Sequence, residues 1–198
     1  MVISGAEAGP INSATDTNIL QNFSDATAGR SQQLFYVMGV TDSTGVEYVL
    51  GRDAGISLPI DMRDVGGGGV TTFDADITIN KPTIMAGIAT IDFNYKHMEG
   101  GSEGGTNSIF IFKLIHYDGI TETTIGTVTA QTVAGVSQTG SFKLKCQITK
   151  KLFGIGNILR LNTSISYSGT SPRYSVVSCD PETAGNELKL WMPIVNLE

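Results

Sequence analysis

Apolar and polar residues alternate one by one along much of this chain. That period of two marks strands whose successive side chains point to opposite faces. The alternation is clearest over residues 88–97, where Ile91, Phe93, Tyr95 and His97 share one face and Thr90, Asp92, Asn94 and Lys96 share the other. Residues 141–149 repeat it, with Phe142, Leu144, Cys146 and Ile148 inward and Lys143, Lys145, Gln147 and Thr149 outward. Residues 158–167 do the same, with Leu159, Leu161, Ile165 and Tyr167 set against Arg160, Asn162, Ser164 and Ser166. A closing strand over 188–194 turns Leu188, Leu190, Met192 and Ile194 inward. Pro193 lacks an N–H, which places that strand end at an edge or outside the ladder.

Further strand signals cover residues 34–38, 46–50, 70–73 and 77–79, the last ended by Pro82. A long loop runs from Pro59 to the four glycines Gly66–Gly69. Residues 108–117 are apolar on both faces, as in a central strand or one covered by a partner. Asp118-Gly119 then predicts a type I′ hairpin, with a returning strand over 121–128. No long helix pattern interrupts this series, so about eight to ten strands are expected. Parallel strands need crossovers, usually helical, so the expected fold is an all-β, antiparallel, two-sheet β-sandwich of jelly-roll type. Residues 1–33 are small and polar and are expected to form an extended N-terminal arm, ordered only where something holds it. Residues 34–198 form the expected β-sandwich domain.

Composition sharpens this picture. A chain of 198 residues with 24 glycines suits short strands joined by many turns. The net charge is −6, and no basic face is available to displace counterions, so nucleic acid is not an expected partner. Within the basic cluster of Lys143, Lys145, Lys150 and Lys151, the first two alternate with apolar residues and fit the wet side of a strand. No apolar run approaches the roughly 20 residues that cross a bilayer, and the first residues lack a signal-peptide pattern. The expectation is a soluble protein of a reducing cytosol with no membrane partner. Cys146 and Cys179 do not make a disulfide framework, and Cys146 falls on an inward face as a small core residue.

Candidate chemistry is sparse. His97 and His116 each share a strand face with apolar neighbours and are expected to be packed or interfacial rather than general bases. No His or Cys spacing matches a zinc site, and no G-x-S-x-G elbow is present. The glycines at 66–69 are not followed by the Gly-Lys-Ser/Thr of a phosphate loop. Asp61, Asp64, Asp74 and Asp76 cluster in sequence without calcium-loop spacing. A glycosidase carboxylate pair stays open, because its spacing is spatial. The sequons at Asn22 and Asn162 carry no meaning without secretion. No catalytic, cofactor-binding or metal-binding residue is assigned on these grounds, no cofactor is expected, and the chain is expected not to be an enzyme.

One ordered set of segments carries a resemblance. It begins with Glu47-Tyr48-Val49-Leu50 and the strand at 88–97, and continues through residues 110–119 into Thr123-Thr124-Ile125-Gly126. Gly154-Ile155-Gly156-Asn157-Ile158-Leu159-Arg160-Leu161 and Glu187-Leu188-Lys189-Leu190-Trp191-Met192-Pro193-Ile194 complete it. The order resembles the jelly-roll virion structural proteins of tailed bacteriophages, namely capsid decoration (cement) proteins and related minor virion proteins. Asn157 stands where those proteins carry aspartate. The resemblance implies a non-enzymatic decoration protein, located in the virion, that binds the major capsid protein lattice as a homotrimer. The arm would then lie along a neighbouring subunit. Two other expectations remain beside it. One is a receptor- or carbohydrate-binding module of a phage tail or fibre, with Trp191 as a stacking residue. The other is a glycosidase or lyase built on a sandwich.

Overall fold

The computed structural model describes residues 30–41, 46–52, 62–65, 70–99, 107–133, 137–168, 172–179 and 186–195. Residues 1–29 of the expected arm, Asp61 and the glycines at 66–69 lie outside them. Every regular element among the described residues is a strand. In chain order these are β1 (Arg30–Thr41), β2 (Val46–Gly51), β3 (Met62–Val65), β4 (Val70–Thr78), β5 (Thr83–Glu99), β6 (Asn107–Tyr117), β7 (Glu122–Gln131), β8 (Gln138–Phe153), β9 (Ile158–Ser168), β10 (Pro172–Val177) and β11 (Lys189–Val195). The all-β expectation therefore holds.

The strands join in one continuous sheet of order β3-β10-β5-β11-β1-β2-β4-β9-β6-β7, with β8 on the remaining edge of β5. This corrects the expectation of two separate antiparallel sheets. The sheet is mixed, because β2 and β4 pair in parallel at Tyr48/Ala75 and Val49/Asp76. β3 lies in the connection between these two strands. The sheet folds over on itself. Phe93 of β5 packs against Phe110 and Phe112 of β6, with ring centroids 5.5 and 4.7 Å apart, although those strands are not hydrogen-bonded neighbours. Tyr95 stacks on Phe142 of β8 at 4.8 Å. Around these rings lie the buried Ile91, Leu114, Cys146, Leu161, Ile165, Leu190 and Met192.

The fold nearly closes where β7 passes β8. Gly126 has no room for a side chain there, since a Cβ would stand 2.7 Å from Cys146 Sγ and 2.9 Å from Ile148 Cγ2. β5 is long enough to pair with β8 along one edge and with β10 and then β11 along the other.

Two local expectations are corrected. Pro193 lies in a central strand, between β1 and β5, and not at an edge. The β11–β5 register shifts between Trp191 and Ile194, so the missing N–H falls at an irregularity. Gly87 packs beside it at φ 119°, a conformation that suits glycine. The Asp118-Gly119 turn is not type I′. That type needs positive φ at both central residues, whereas Gly119 has it and Asp118 does not. The strands close at Tyr117 and Glu122, and Asp118 Oδ1 accepts hydrogen bonds from the Ile120 and Thr121 amides at 2.9 and 2.7 Å.

Two predictions follow from packing and from this turn. Thr163 is fully buried between its register partners Phe73 and Phe112, and its Oγ1 has no hydrogen-bond partner. Thr163→Val keeps the shape and removes the unmet hydroxyl, so stability should rise by about 1 kcal/mol. A higher urea midpoint at constant slope is the expected result, and an unchanged or lower midpoint would show that the hydroxyl is satisfied. The Thr121 and Ile120 amides hold the Asp118 carboxyl below its ordinary pKa. A depressed folded-state value gives stability that is present above the unfolded pKa of about 4 and is lost as pH falls through the folded one. The stability gap between the native protein and Asp118→Ala should therefore narrow between about pH 5 and pH 2 in urea titrations. A constant gap would contradict it.

Candidate functional site

β2, β4 and β9 bring charged side chains to one side of the folded sheet. Along β4 the alternation turns Thr72, Asp74 and Asp76 outward, and buries Ala75 fully. β9 runs antiparallel beside it and sets Asn162 opposite Asp74 and Arg160 opposite Asp76. Arg160 binds Asp76 in a fork, with Nε–Oδ1 and Nη2–Oδ2 both at 2.7 Å. Its Nη1 also pairs with Glu122 and lies 3.6 Å from Asp74 Oδ2. Asn162 Nδ2 donates to Asp74 Oδ1 at 2.6 Å. The guanidinium sits 5.8 Å from the Tyr117 ring. The hydrogen bonds to Asp76, together with the carboxylates of Asp74 and Glu122, push the Arg160 pKa up.

An open groove of about 390 Å³ lies at β2 and β4, lined by Glu47, Tyr48, Val49, Thr72, Phe73, Asp74 and Asp76. Tyr48 and Phe73 meet edge to face at 5.6 Å and pack against the core, on the opposite side of their strands from Asp74 and Asp76. One guanidinium faces three carboxylates, and Glu47 adds a fourth, so the groove favours cationic groups over anions.

The two histidines occupy different settings. His97 is fully buried. Its Nδ1 lies 2.6 Å from Ser108 Oγ and 3.2 Å from Ser175 Oγ, and the two serine hydroxyls also contact each other. The Ser108 amide donates to Thr132 Oγ1 at 2.8 Å. A serine bonded to histidine is the pairing used in nucleophilic catalysis, but all three side chains are sealed in the interior. His116 stacks edge-on against Phe153 at 4.7 Å, and its Nε2 lies 3.0 Å from Asn157 Oδ1.

The other sequence candidates separate. Asp74 and Asp76 converge on Arg160, while Asp64 lies on β3, opposite Ser175 in register, and Asp61 is outside the described residues. Lys143, Lys145 and Lys150 are exposed and Lys151 is partly buried. Cys146 and Cys179 are buried free thiols, and burial pushes the Cys146 thiol pKa up. Trp191 is half-buried, between Leu34 and Thr90 in register. Asn162 lies inside the sheet, and Asn22 is outside the described residues. No group of three or more His, Cys, Asp or Glu among the described residues could hold a metal ion. Ser108 and Ser175 were not legible as partners of His97, because Ser175 reaches it through β5–β10 pairing and Ser108 only through the fold-over that sets β6 against β5. The convergence on Arg160 was likewise hidden until β4 met β9.

No family model matches the chain, and no curated protein matches it. Solved structures do. An α-amino acid ester hydrolase is similar over 82% of this chain and 36% of its own, with TM-score 0.57 and 12% identity. An aminopeptidase from a marine sediment archaeon, Thaumarchaeota archaeon, is similar over 82% of this chain and 37% of its own, with TM-score 0.56 and 9% identity. The chain thus spans little more than a third of the structures it matches, and at these identities the likeness is one of fold. It overturns the expected kinship with phage jelly-roll virion proteins. The decoration function, the capsid-lattice partner, the homotrimer and the virion location are corrected with it, as is the receptor- or carbohydrate-binding alternative that the sandwich pattern and Trp191 suggested. The expectation that the chain is not an enzyme is corrected too, since the two proteins just named, which share its fold, are a hydrolase and an aminopeptidase. The physical reason is plain. Alternating strands joined by tight turns occur in any antiparallel hairpin, so they mark the all-β class and not a lineage.

The Arg160 cluster yields a graded prediction. Asp76→Asn removes one arm of a two-point, partly shielded pair and should cost about 1 kcal/mol of stability. Asp74→Asn should cost less, because its contact with Arg160 is longer and more exposed. Urea unfolding of both variants checks the order, and equal or reversed losses would contradict the reading of Asp76 as the principal partner.

Proposed function

We propose that this chain is the β-domain of a hydrolase that cleaves ester or amide bonds in substrates bearing a free α-amino group. The observation that carries this reading is the fold match over 82% of the chain to an α-amino acid ester hydrolase and to an aminopeptidase. Both named activities concern substrates whose α-amino group is cationic near neutral pH. Because the chain spans about a third of those proteins, the hydrolase is proposed as a larger unit in which this fold takes part. The groove beside Glu47, Asp74 and Asp76 has the charge to attract an α-ammonium.

The test is to precipitate the protein from its native source with an antibody to this chain and assay the precipitate. Phenylalanine methyl ester and leucine p-nitroanilide serve as substrates, with their N-acetylated forms as controls. Cleavage of the free-amine substrates at least about tenfold faster than the acetylated ones is expected, a preference that corresponds to about 1.4 kcal/mol. Intact precipitated protein that cleaves neither class would overturn the proposal.

A further inference from the structure

The outer face of β5 is apolar where the strand begins. Ile84, Ala86 and Ile88 alternate outward there, while Met85 and Ala89 are buried. In register, Ile84 stands between Val195 of β11 and Leu152 of β8, and Arg30, the first residue of β1, lies opposite Val195. Ile88 is 49% exposed and Leu152 is 56% exposed. Two register shifts fall on this same stretch, one against β8 between Met85 and Gly87 and one against β11 between Trp191 and Ile194. Ala86 consequently has no partner in either ladder. An open groove of about 530 Å³ lies here, its walls including Ser31 and Gln32 of β1, Ile88 of β5, Gln147 of β8 and Pro193 of β11. Single exposed apolar side chains are ordinary, whereas a contiguous group around a groove marks a contact surface.

Where the chain enters the fold says what covers it. Ser31 and Gln32 belong to the groove, so residues 1–29 join the sheet at its rim. Ile19, Leu20 and Phe23 lie seven to eleven residues before Arg30. Seven extended residues span roughly 23 Å, and the three strand spacings from Arg30 to Leu152 amount to about 14 Å, so these side chains can reach the whole patch. Gly29, directly before β1, admits the reversal that brings the chain back over the face.

Charge adds to the apolar fit. Residues 1–29 contain Glu7, Asp16 and Asp25 and no Lys or Arg. β1, β8 and β11 contain no Asp or Glu, and β8 carries Lys143, Lys145, Lys150 and Lys151. The carboxylates of the neighbourhood are engaged or remote. Asp92 of β5 stands in register between Lys143 and Lys189, and Glu99 ends the same strand at its far side. On the β6–β7 hairpin, Asp118 accepts backbone amides and Glu122 pairs with Arg160. Glu198 lies outside the described residues. We propose that residues 19–29 fold back across the outer face of β1, β11, β5 and β8, seating Ile19, Leu20 and Phe23 on Ile84, Ile88 and Leu152 and closing the groove. The segment is tethered at the rim, so its effective concentration there is on the order of millimolar, and a separate partner of like chemistry must compete with it.

Cysteine trapping in the full chain tests this, since both native thiols are buried. Phe23→Cys with Ile88→Cys should form an intrachain disulfide under mild oxidation at least about tenfold faster than Phe23→Cys with Val70→Cys, whose site on β4 is 65% exposed and lies outside this face. Chymotrypsin, which cuts after Leu20 and Phe23, gives a second readout. Ile88→Asp with Leu152→Asp should speed that cleavage about tenfold, because it raises the population in which the segment is released. Equal trapping at the two positions would overturn the proposal, as would a disulfide formed mainly between chains, which would assign the face to a second copy. Cleavage that the double variant leaves unchanged would overturn it as well.

Discussion

The structure depends on a cluster of aromatic rings that joins strands the hydrogen-bond ladder keeps apart. Phe93 touches Phe110, Phe112 and Phe142, and Tyr95 lies against Phe110 and Phe142. Without those contacts β5 and β6 would sit far apart along one open sheet. With them the sheet doubles over and its apolar faces become a core. Rings suit this task because each buries a large area and tilted or edge-on packing adds to burial. The fold-over also explains why Gly126 must be bare: at that point β7 comes against β8, and the approach is closer than a Cβ permits.

Much of this was legible in the sequence, for a physical reason. Where a strand has one wet face and one dry face, the side chains must alternate. β5, β8 and β9 were therefore visible over most of their length. β3 and β10 were missed, because β3 has only four residues and β10 opens on Pro172. The place of β11 was misjudged from Pro193. The rule that proline avoids central ladders held locally, at the β11–β5 irregularity, while the strand as a whole went to the centre. Alternation says which face a residue takes and nothing about which strand lies beside it. Asp74 and Asp76 could be seen as near neighbours in sequence, whereas Arg160 and Glu122 could not be joined to them until β4, β9, β6 and β7 were placed in order.

The two polar groupings illustrate the same division. The Arg160 cluster is partly exposed, so its ion pairs are screened and its value lies more in shaping the field of the groove than in holding the fold. The His97–Ser108–Ser175 grouping is dry, so each hydrogen bond there matters more and each missing one costs more. Chemical type alone would have ranked them the other way, since a serine beside a histidine suggests reaction and a salt bridge suggests scaffolding. Burial decides otherwise.

The position of β11 has a consequence for how the protein is made. β11 is the last strand in chain order among the described residues, yet it lies between β1 and β5 and pairs with both. On a ribosome, β1 and β5 emerge long before the strand that separates them, so the middle of the sheet cannot settle until β11 has left the exit tunnel. Throughout that interval two long strands carry unmet ladder groups, which is the condition under which chains pair wrongly or with one another. Folding of this molecule is thus an event of completion rather than of gradual growth, and a chaperone that shields open strand edges would act on it most during synthesis.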